Sequence, residues 1–286
     1  MGRGDLQSPQ AQLMDKSLPH QIDPESLAAL PRSAGVYIFK GEGTLPLYIG
    51  KSIDIRSRVL SHLRTPDEAN MIAQTRRIDF IETAGEIGAL LLEAQMIKAY
   101  SPLFNIRLRR LRNMNSIRLA DSGNGVTPEI VSSKDTDIGQ VDGLYGLFSS
   151  QRSAQEKLGE IAKEHELCNA LLGLEKLSKR GCFGVQIKTC RGACVGQEAR
   201  AVHDQRLFSA LMDMKVHAWP YPGAIDIVEA THSWTQKHRI HNWRYLGTWC
   251  TKAKGNSGVA QTAFDLDTYK ILVKPIMLGT ALIEQV

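Results

Sequence analysis

Gly35-Val36-Tyr37-Ile38-Phe39 and Leu47-Tyr48-Ile49-Gly50-Lys51, joined by a connection holding Gly41, Gly43 and Pro46, decide how the N-terminal part of this chain folds. Alternating β-branched and aromatic residues on either side of a Gly/Pro-containing turn predict a hairpin. After Ser52 the pattern switches to helical spacing, with Ile55, Val59, Leu60 and Leu63 on one face, so a helix should begin at about Asp54. Ser52 or Asp54 can cap it. The unit is therefore strand, turn, strand, helix, with a tyrosine on each strand. On the helix Arg58 and His62 stand four residues apart and project together.

Downstream, residues 77–83 read as a strand and Glu86 to Tyr100 as a helix, apolar nearly all round from Ile87 to Ile97 and so expected to be buried on most sides. Glu93 lies in its middle among Leu90, Leu91, Leu92, Met96 and Ile97. A carboxylate there needs a cation, either a Lys or Arg side chain or a metal ion. Pro102 ends the helix, Asn105 follows, and then come Arg107, Arg109, Arg110 and Arg112. Such a run fits backbone contact with duplex DNA, which would be salt-sensitive and sequence-neutral.

The formal net charge of +5 is not spread evenly. Between Gly35 and Arg118 there are 13 Lys/Arg against 8 Asp/Glu, so the rest of the chain is balanced. A basic excess confined to one domain favours polyanions, of which nucleic acid is the commonest. With 286 residues the chain has length for two or three domains, and its 43% apolar and 23% charged composition is that of a globular protein. No apolar run approaches a membrane span, and the first twenty residues lack the apolar core of a signal peptide, which points to the cytoplasm.

Residues 1–31 carry Pro9, Pro19, Pro24 and Pro31 and no strong period, reading as a disordered start and a short docking helix from about Pro24 to Leu30. Small strands are expected between Ser116 and Ser149, a helix from Gln151 to Leu167 and another from Glu198 to Met214. Strand-like pieces follow at residues 224–228, 239–249 and 269–275. Trp219, Trp234, Trp243 and Trp249 read as sheet core, His232, His238 and His241 as surface residues, and Cys250 as a buried thiol.

Cys168, Cys182, Cys190 and Cys194 fall within 27 residues. Clustered cysteines in a chain of this kind suggest a metal or a cluster rather than disulfides. Their spacing departs from the paired C-x2-C knuckles of common zinc sites, and four thiolates suit a [4Fe-4S] cluster as well as zinc.

Gly35-Val36-Tyr37, Tyr48-Ile49-Gly50, Arg58, Glu93 and Asn105, in that order, resemble the signature of the GIY-YIG nuclease superfamily. The stretches Tyr48-Ile49-Gly50-Lys51-Ser52, Ile55-Arg56-Ser57-Arg58, Leu92-Glu93-Ala94 and Pro102-Leu103-Phe104-Asn105 are similar to the N-terminal half of the UvrC excinuclease subunit, and the chain as a whole most resembles the short, Cho-type homologues of UvrC. The nuclease resemblance covers residues 32–112, and a weaker one, carried by Gly146-Leu147-Phe148 and the cysteines, extends to about Gly196.

The resemblance implies a catalytic set of Tyr37, Tyr48, Lys51, Arg58 and Glu93, with Asn105 supporting it. His62 stands where UvrC proteins commonly carry tyrosine. The residue types suit phosphodiester hydrolysis. Glu93 is an oxygen ligand for Mg2+ or Mn2+ and Arg58 a fork of donors for the scissile phosphate, while either tyrosine could take a proton if Lys51 and the metal bias it. The resemblance also implies a [4Fe-4S] cluster on the four cysteines, with zinc as the alternative.

The expected architecture is α+β: a leader and docking helix (1–31), a GIY-YIG endonuclease domain with a small mixed sheet flanked by helices (32–115), a helical middle region with the cysteines (116–215) and a β-rich C-terminal domain (216–286). The expected activity is a metal-dependent incision of double-stranded DNA on the 3′ side of a bulky lesion, with UvrB as partner, UvrA upstream, and no membrane. The chain shows no room for the second nuclease and the helix-hairpin-helix pair of full UvrC. Two other readings remain open, a sequence-specific GIY-YIG enzyme of mobile-element or restriction type and a non-catalytic DNA-binding repair scaffold.

Overall fold

A computed structural model describes residues 19–105, 113–252 and 256–286. Residues 1–18 of the leader lie outside the described residues, as do Arg107, Arg109, Arg110 and Arg112. The chain forms two compact units, residues 1–109 and residues 110–286.

In the first unit the order is α1 (Pro24–Ala28), β1 (Gly35–Lys40), β2 (Pro46–Ser52), α2 (Ile55–His62), α3 (Ala69–Gln74), β3 (Arg77–Glu82) and α4 (Glu86–Tyr100). The strands make a sheet in the order β2-β1-β3. Both ladders are antiparallel, which corrects the expectation of a mixed sheet. The helical connection after β2 does link parallel strands, as crossovers do, but it sets β3 on the far side of β1, so the two parallel strands never pair.

Being central, β1 is buried along nearly its whole length, and its side chains alternate between two layers. Val36 and Ile38 pack with Ile49 of β2 and Ile97 of α4. Tyr37 and Phe39 point the other way, into a core with Ile55, Val59, Leu63 and Ile72. Helix α4 buries Gly88, Ala89, Leu91, Ala94 and Ile97, while Leu90, Leu92 and Met96 stay half-buried, so it is less enclosed than its composition suggests. Ile22 and Leu30, flanking α1, complete the opposite core. Arg56 aims its guanidinium at the carbonyls of Leu27, Ala28 and Leu30 (3.2–3.5 Å), which favours a cation at that helix end.

The second unit holds β4 (Asn115–Asp121), β5 (Val126–Ser132), β6 (Leu144–Phe148), α5 (Gln151–Glu164), α6 (Phe183–Gln186), α7 (Arg200–Leu211), β7 (Lys215–Val216), β8 (Ile225–Ala230), β9 (Thr235–His241), β10 (Arg244–Cys250), β11 (Asn256–Ser257), α8 (Leu266–Met277) and β12 (Leu282–Gln285). One sheet runs β5-β4-β6-β7 and the other β11-β10-β9-β8-β12. Leu158 and Ile161 of α5 and Leu207 and Leu211 of α7 pack with Ile117 and Tyr145 of the first of these sheets. Among the described residues no helix is long and apolar enough to cross a membrane.

Five expectations for the second unit are corrected. Residues 239–249 form the end of one strand and most of another, turning at Asn242 and Trp243, both left-handed (φ 51° and 60°). Asn-Trp lacks the glycine that usually announces such a turn. Residues 269–275 belong to α8, whose buried Thr268, Tyr269, Leu272 and Ile276 recur at helical spacing. Pro275 and the β-branched residues around it obscured that period. His238 is buried between Thr248 (2.7 Å) and Glu229 (3.1 Å) rather than on the surface. Its acidic partner lies on the neighbouring strand β8, where no helical spacing would reveal it. Of the tryptophans Trp243 is fully buried, whereas Trp249 is exposed beneath the Arg239 guanidinium, 4.5 Å from its ring centre. Cys250 is half-buried.

Candidate active site

Strand β2 is the outer strand of its sheet, so the backbone groups on its free side need partners from elsewhere. Side chains and loop supply them. The Leu47 carbonyl accepts from the Phe104 N–H at 2.9 Å. Asn105 does for Ile49 what a neighbouring strand would do, accepting from its N–H at 2.9 Å and donating to its carbonyl at 2.8 Å. The Lys51 N–H donates to Glu93 Oε1 at 3.1 Å. Asn105 and Glu93 are thus fixed along the edge that carries Tyr48, Gly50 and Lys51.

Across the hairpin Tyr37 faces Gly50. A Cβ on Gly50 would overlap the Tyr37 ring and approach Tyr48 Cε1 to 2.8 Å, which explains glycine at this position. The space is occupied by an aromatic box: the centroids of Tyr37 and Tyr48 lie 6.2 Å apart, and the His62 ring sits 5.4 Å from the first and 5.5 Å from the second. Tyr37 Oη is 2.7 Å from His62 Nε2, and His62 Nδ1 is 2.5 Å from Glu68 Oε2. Helix α2 delivers His62 because Asp54 caps it, accepting from the Ser57 N–H at 2.8 Å, and because Ile55, Val59 and His62 share its buried face. With Asp54 so engaged, Arg58 makes no ion pair with it and its positive charge instead acts on the Tyr37 phenol.

Electrostatics divides these groups. Burial raises the phenol of Tyr37 well above the usual range, and the neighbouring Tyr48 and Glu93 add to that, while Arg58 opposes it. Tyr48 is raised by burial and then by Glu93, against the neighbouring Tyr37 hydroxyl and the charge of Arg58. Burial also raises Glu93, with the Lys51 N–H and charge opposing. His62 is lowered, chiefly by burial, although Glu68 pulls the other way.

The structure therefore brings Tyr37, Tyr48, Arg58, His62, Glu93 and Asn105 to one face and edge of the hairpin. The Lys51 ammonium is directed elsewhere, to Glu86 Oε1 at 2.5 Å, so the cation that biases the tyrosines is Arg58. No side-chain cation pairs with Glu93 among the described residues; only the Lys51 N–H and the Lys51 charge compensate it. Sequence reasoning missed Glu68 and Glu86. Glu68 reaches His62 from a single 3-10 turn, Pro66–Glu68, at a spacing of six, which matches no helical or strand period.

In the second unit, the sulfurs of Cys168, Cys182 and Cys194 lie within 4.8 Å of one another. Cys190, expected as a fourth ligand, is not in this group, although it lies close by: a Cβ on Gly184 would come 2.9 Å from Cys190 Cβ and 3.6 Å from Cys182 Sγ. Left-handed glycines shape the loops (Gly181 φ 88°, Gly192 φ 79°), and two N–H groups point at sulfur: Cys182 to Cys194 (3.4 Å) and Gly192 to Cys190 (3.3 Å). Convergent thiols with amide donors suit a thiolate-bound metal. His203, unforeseen because it occupies a core position of α7, accepts from the Cys168 N–H at 3.1 Å.

Comparison with known proteins accounts for this layout along the chain. Family models match in sequence: the UvrC-like GIY-YIG domain at residues 33–106, the UvrC/Cho excinuclease middle domain at 116–213 and the excinuclease Cho C-terminal domain at 224–285. Excinuclease Cho of Salmonella typhi is 49% identical over 256 residues, covering 88% of this chain and 86% of the relative. The chain belongs to the Cho excinuclease family. A second Cho, of Shigella flexneri, is 49% identical over 87% of this chain and 84% of its own length. UvrABC system protein C of Methanospirillum hungatei is 30% identical over 60% of this chain and 32% of that protein. Among solved structures, the magnesium-bound N-terminal GIY-YIG endonuclease domain of UvrC from Thermotoga maritima is 33% identical and covers 29% of this chain and 93% of that one, with a TM-score of 0.27. As a Cho-family excinuclease the chain is a DNA repair endonuclease, and its substrate is DNA.

Proposed function

We propose that this excinuclease makes a single-strand incision on the 3′ side of a bulky lesion in double-stranded DNA presented by UvrB, after UvrA, in the cytoplasm, using a Mg2+ or Mn2+ ion held at Glu93. The observation that carries the metal reading is the state of Glu93: a carboxylate buried enough to be raised, anchored by the Lys51 N–H, and without an ion-paired side chain among the described residues. Such a group is a hard oxygen ligand with lone pairs to spare, which suits a small divalent ion that keeps several waters. The ion, when bound, supplies charge stabilisation for the phosphate and the departing oxygen.

The chain's own residues do the rest. Arg58, an exposed residue whose charge acts on Tyr37, can present its N–H donors to the scissile phosphate. Tyr37 and Tyr48 hold and move the proton of the attacking water. Asn105 keeps the β2 edge, and with it Tyr48, in register with Tyr37. Lys51 contributes through its backbone N–H to Glu93 and through its ion pair with Glu86. Arg107, Arg109, Arg110 and Arg112 would follow the DNA backbone. In the second unit we assign a structural cluster, [4Fe-4S] with zinc as the alternative, to Cys168, Cys182, Cys190 and Cys194, and the docking of UvrB to residues 216–286.

The test is incision of a 5′-labelled duplex carrying one bulky adduct, with and without UvrA and UvrB. A single nick 3′ to the adduct that requires UvrB is expected. Cutting of undamaged DNA by the chain alone, at a fixed sequence, would contradict the reading.

A further inference from the structure

Tyr37 Oη, His62 and Glu68 form an unbroken line of hydrogen bonds, 2.7 Å and then 2.5 Å long, in which the middle ring is 2% exposed. A carboxylate can only accept, so the short contact to Glu68 places a proton on His62 Nδ1. In a neutral ring Nε2 is then bare and accepts from the Tyr37 hydroxyl. The charged and titratable groups facing the ring support neutrality. Burial lowers His62, Arg58 on the same helix lowers it further, and among the described residues Glu68 is the carboxylate acting against them; Tyr37 and Tyr48 close the ring off from the sheet side.

We propose that Glu68 is a positioning residue of the nuclease site, holding His62 in the tautomer that makes it the final acceptor of the proton withdrawn from the attacking water through the tyrosine pair. This rests on the nuclease reading of the site. Tyr37 is 1% exposed, whereas Tyr48, whose ring centroid lies 6.2 Å from that of Tyr37, is only partly buried, so Tyr48 is the member that water can reach. As the water oxygen bonds to phosphorus, its proton passes to Tyr48 Oη. The Tyr48 proton moves to Tyr37 Oη, and the Tyr37 proton to His62 Nε2. The bond from phosphorus to the leaving oxygen breaks, and that oxygen takes both bonding electrons and a proton from solvent. The imidazolium, opposite Glu68, returns its extra proton to solvent, so one water is consumed and every group is restored. The arrangement follows the logic of a nucleophile, a base and a carboxylate that orients the base, with a phenol relaying the proton in place of a reacting hydroxyl. It also gives both strand tyrosines a part.

The experiment compares the full-length wild type with Glu68→Gln and Glu68→Asp. Single-turnover incision of an adduct duplex with UvrA and UvrB is followed across pH, beside 15N shifts of the His62 ring. The wild type should show a protonated Nδ1 and a bare Nε2 at neutral pH. Glu68→Gln should cut roughly 10–100-fold more slowly at unchanged DNA affinity. Its acid limb should move to lower pH, because loss of the carboxylate lets His62 fall further, and Glu68→Asp should restore part of the rate. A wild-type ring protonated on Nε2 would overturn the proposal, as would a Glu68→Gln enzyme whose acid limb stays in place. The ring tautomer decides even if the wild type does not cut, so failure here is distinguishable from failure of the nuclease reading.

Discussion

Replacing Asn105 by alanine removes no group proposed to touch DNA, yet it should disable the site. Its amide makes two hydrogen bonds to the backbone of Ile49, 2.9 Å and 2.8 Å long, standing in for a strand that β2 lacks on that side. A net intramolecular hydrogen bond is worth about 0.5–1.5 kcal/mol, so the pair contributes about 1–3 kcal/mol. For a unit of this size 2 kcal/mol corresponds to a fall in melting temperature of roughly 8–16 °C. The loss should be local as well as global, since Ile49 lies between Tyr48 and Gly50. Exchange of the Ile49 amide proton should accelerate by about tenfold for each 1.4 kcal/mol. Asn105→Asp keeps an acceptor for the Ile49 N–H but sets a carboxylate oxygen against the Ile49 carbonyl, so it should lose at least as much as alanine. Thermal melts of the full chain, amide exchange and the incision rate are the assays. An Asn105→Ala protein that melts with the wild type, with the Ile49 amide equally protected, would refute the edge-strand reasoning.

Two further outcomes are expected. Burial raises Glu93, so its ionised form destabilises the folded unit at neutral pH. That penalty is absent below the unfolded pKa, where the group is neutral in both states, and is complete once pH has risen through the raised folded value. Glu93→Gln should therefore melt higher than the wild type at pH 7 without divalent ions and no higher in acid, and Mg2+ should raise the melting temperature of the wild type but not of the variant; a variant that responds equally to Mg2+ would place the ion elsewhere. Cys168→Ser and Cys194→Ser should each abolish the bound metal and lower the melting temperature of the second unit, read by metal and sulfide analysis of anaerobic protein; full metal content in both variants would remove the cysteines as ligands.

Much of this was legible in the sequence because short-range patterns carried it. The hairpin, the helix that follows it from about Asp54 and the α4 helix all follow from local periodicity and caps. What was not legible depends on through-space pairing. Glu68 finds His62 from an irregular turn, Lys51 finds Glu86 on another element, and His238 finds Glu229 across a ladder. The α8 helix was misread because Pro275 and its β-branched neighbours mimic a strand, although the buried positions recur with helical spacing. The antiparallel order of the first sheet could not be read either, since a helical crossover looks the same whether or not a third strand lies between its ends.

The most direct test of the central claim is incision of the adduct-bearing duplex by wild type and Glu93→Gln, with UvrA and UvrB, in the presence and absence of Mg2+. Gln keeps an acceptor for the Lys51 N–H and removes the charge that would hold the ion. The expected result is a Mg2+-dependent nick 3′ to the lesion that disappears in the variant while DNA binding is retained. Incision by Glu93→Gln at the wild-type rate would contradict it.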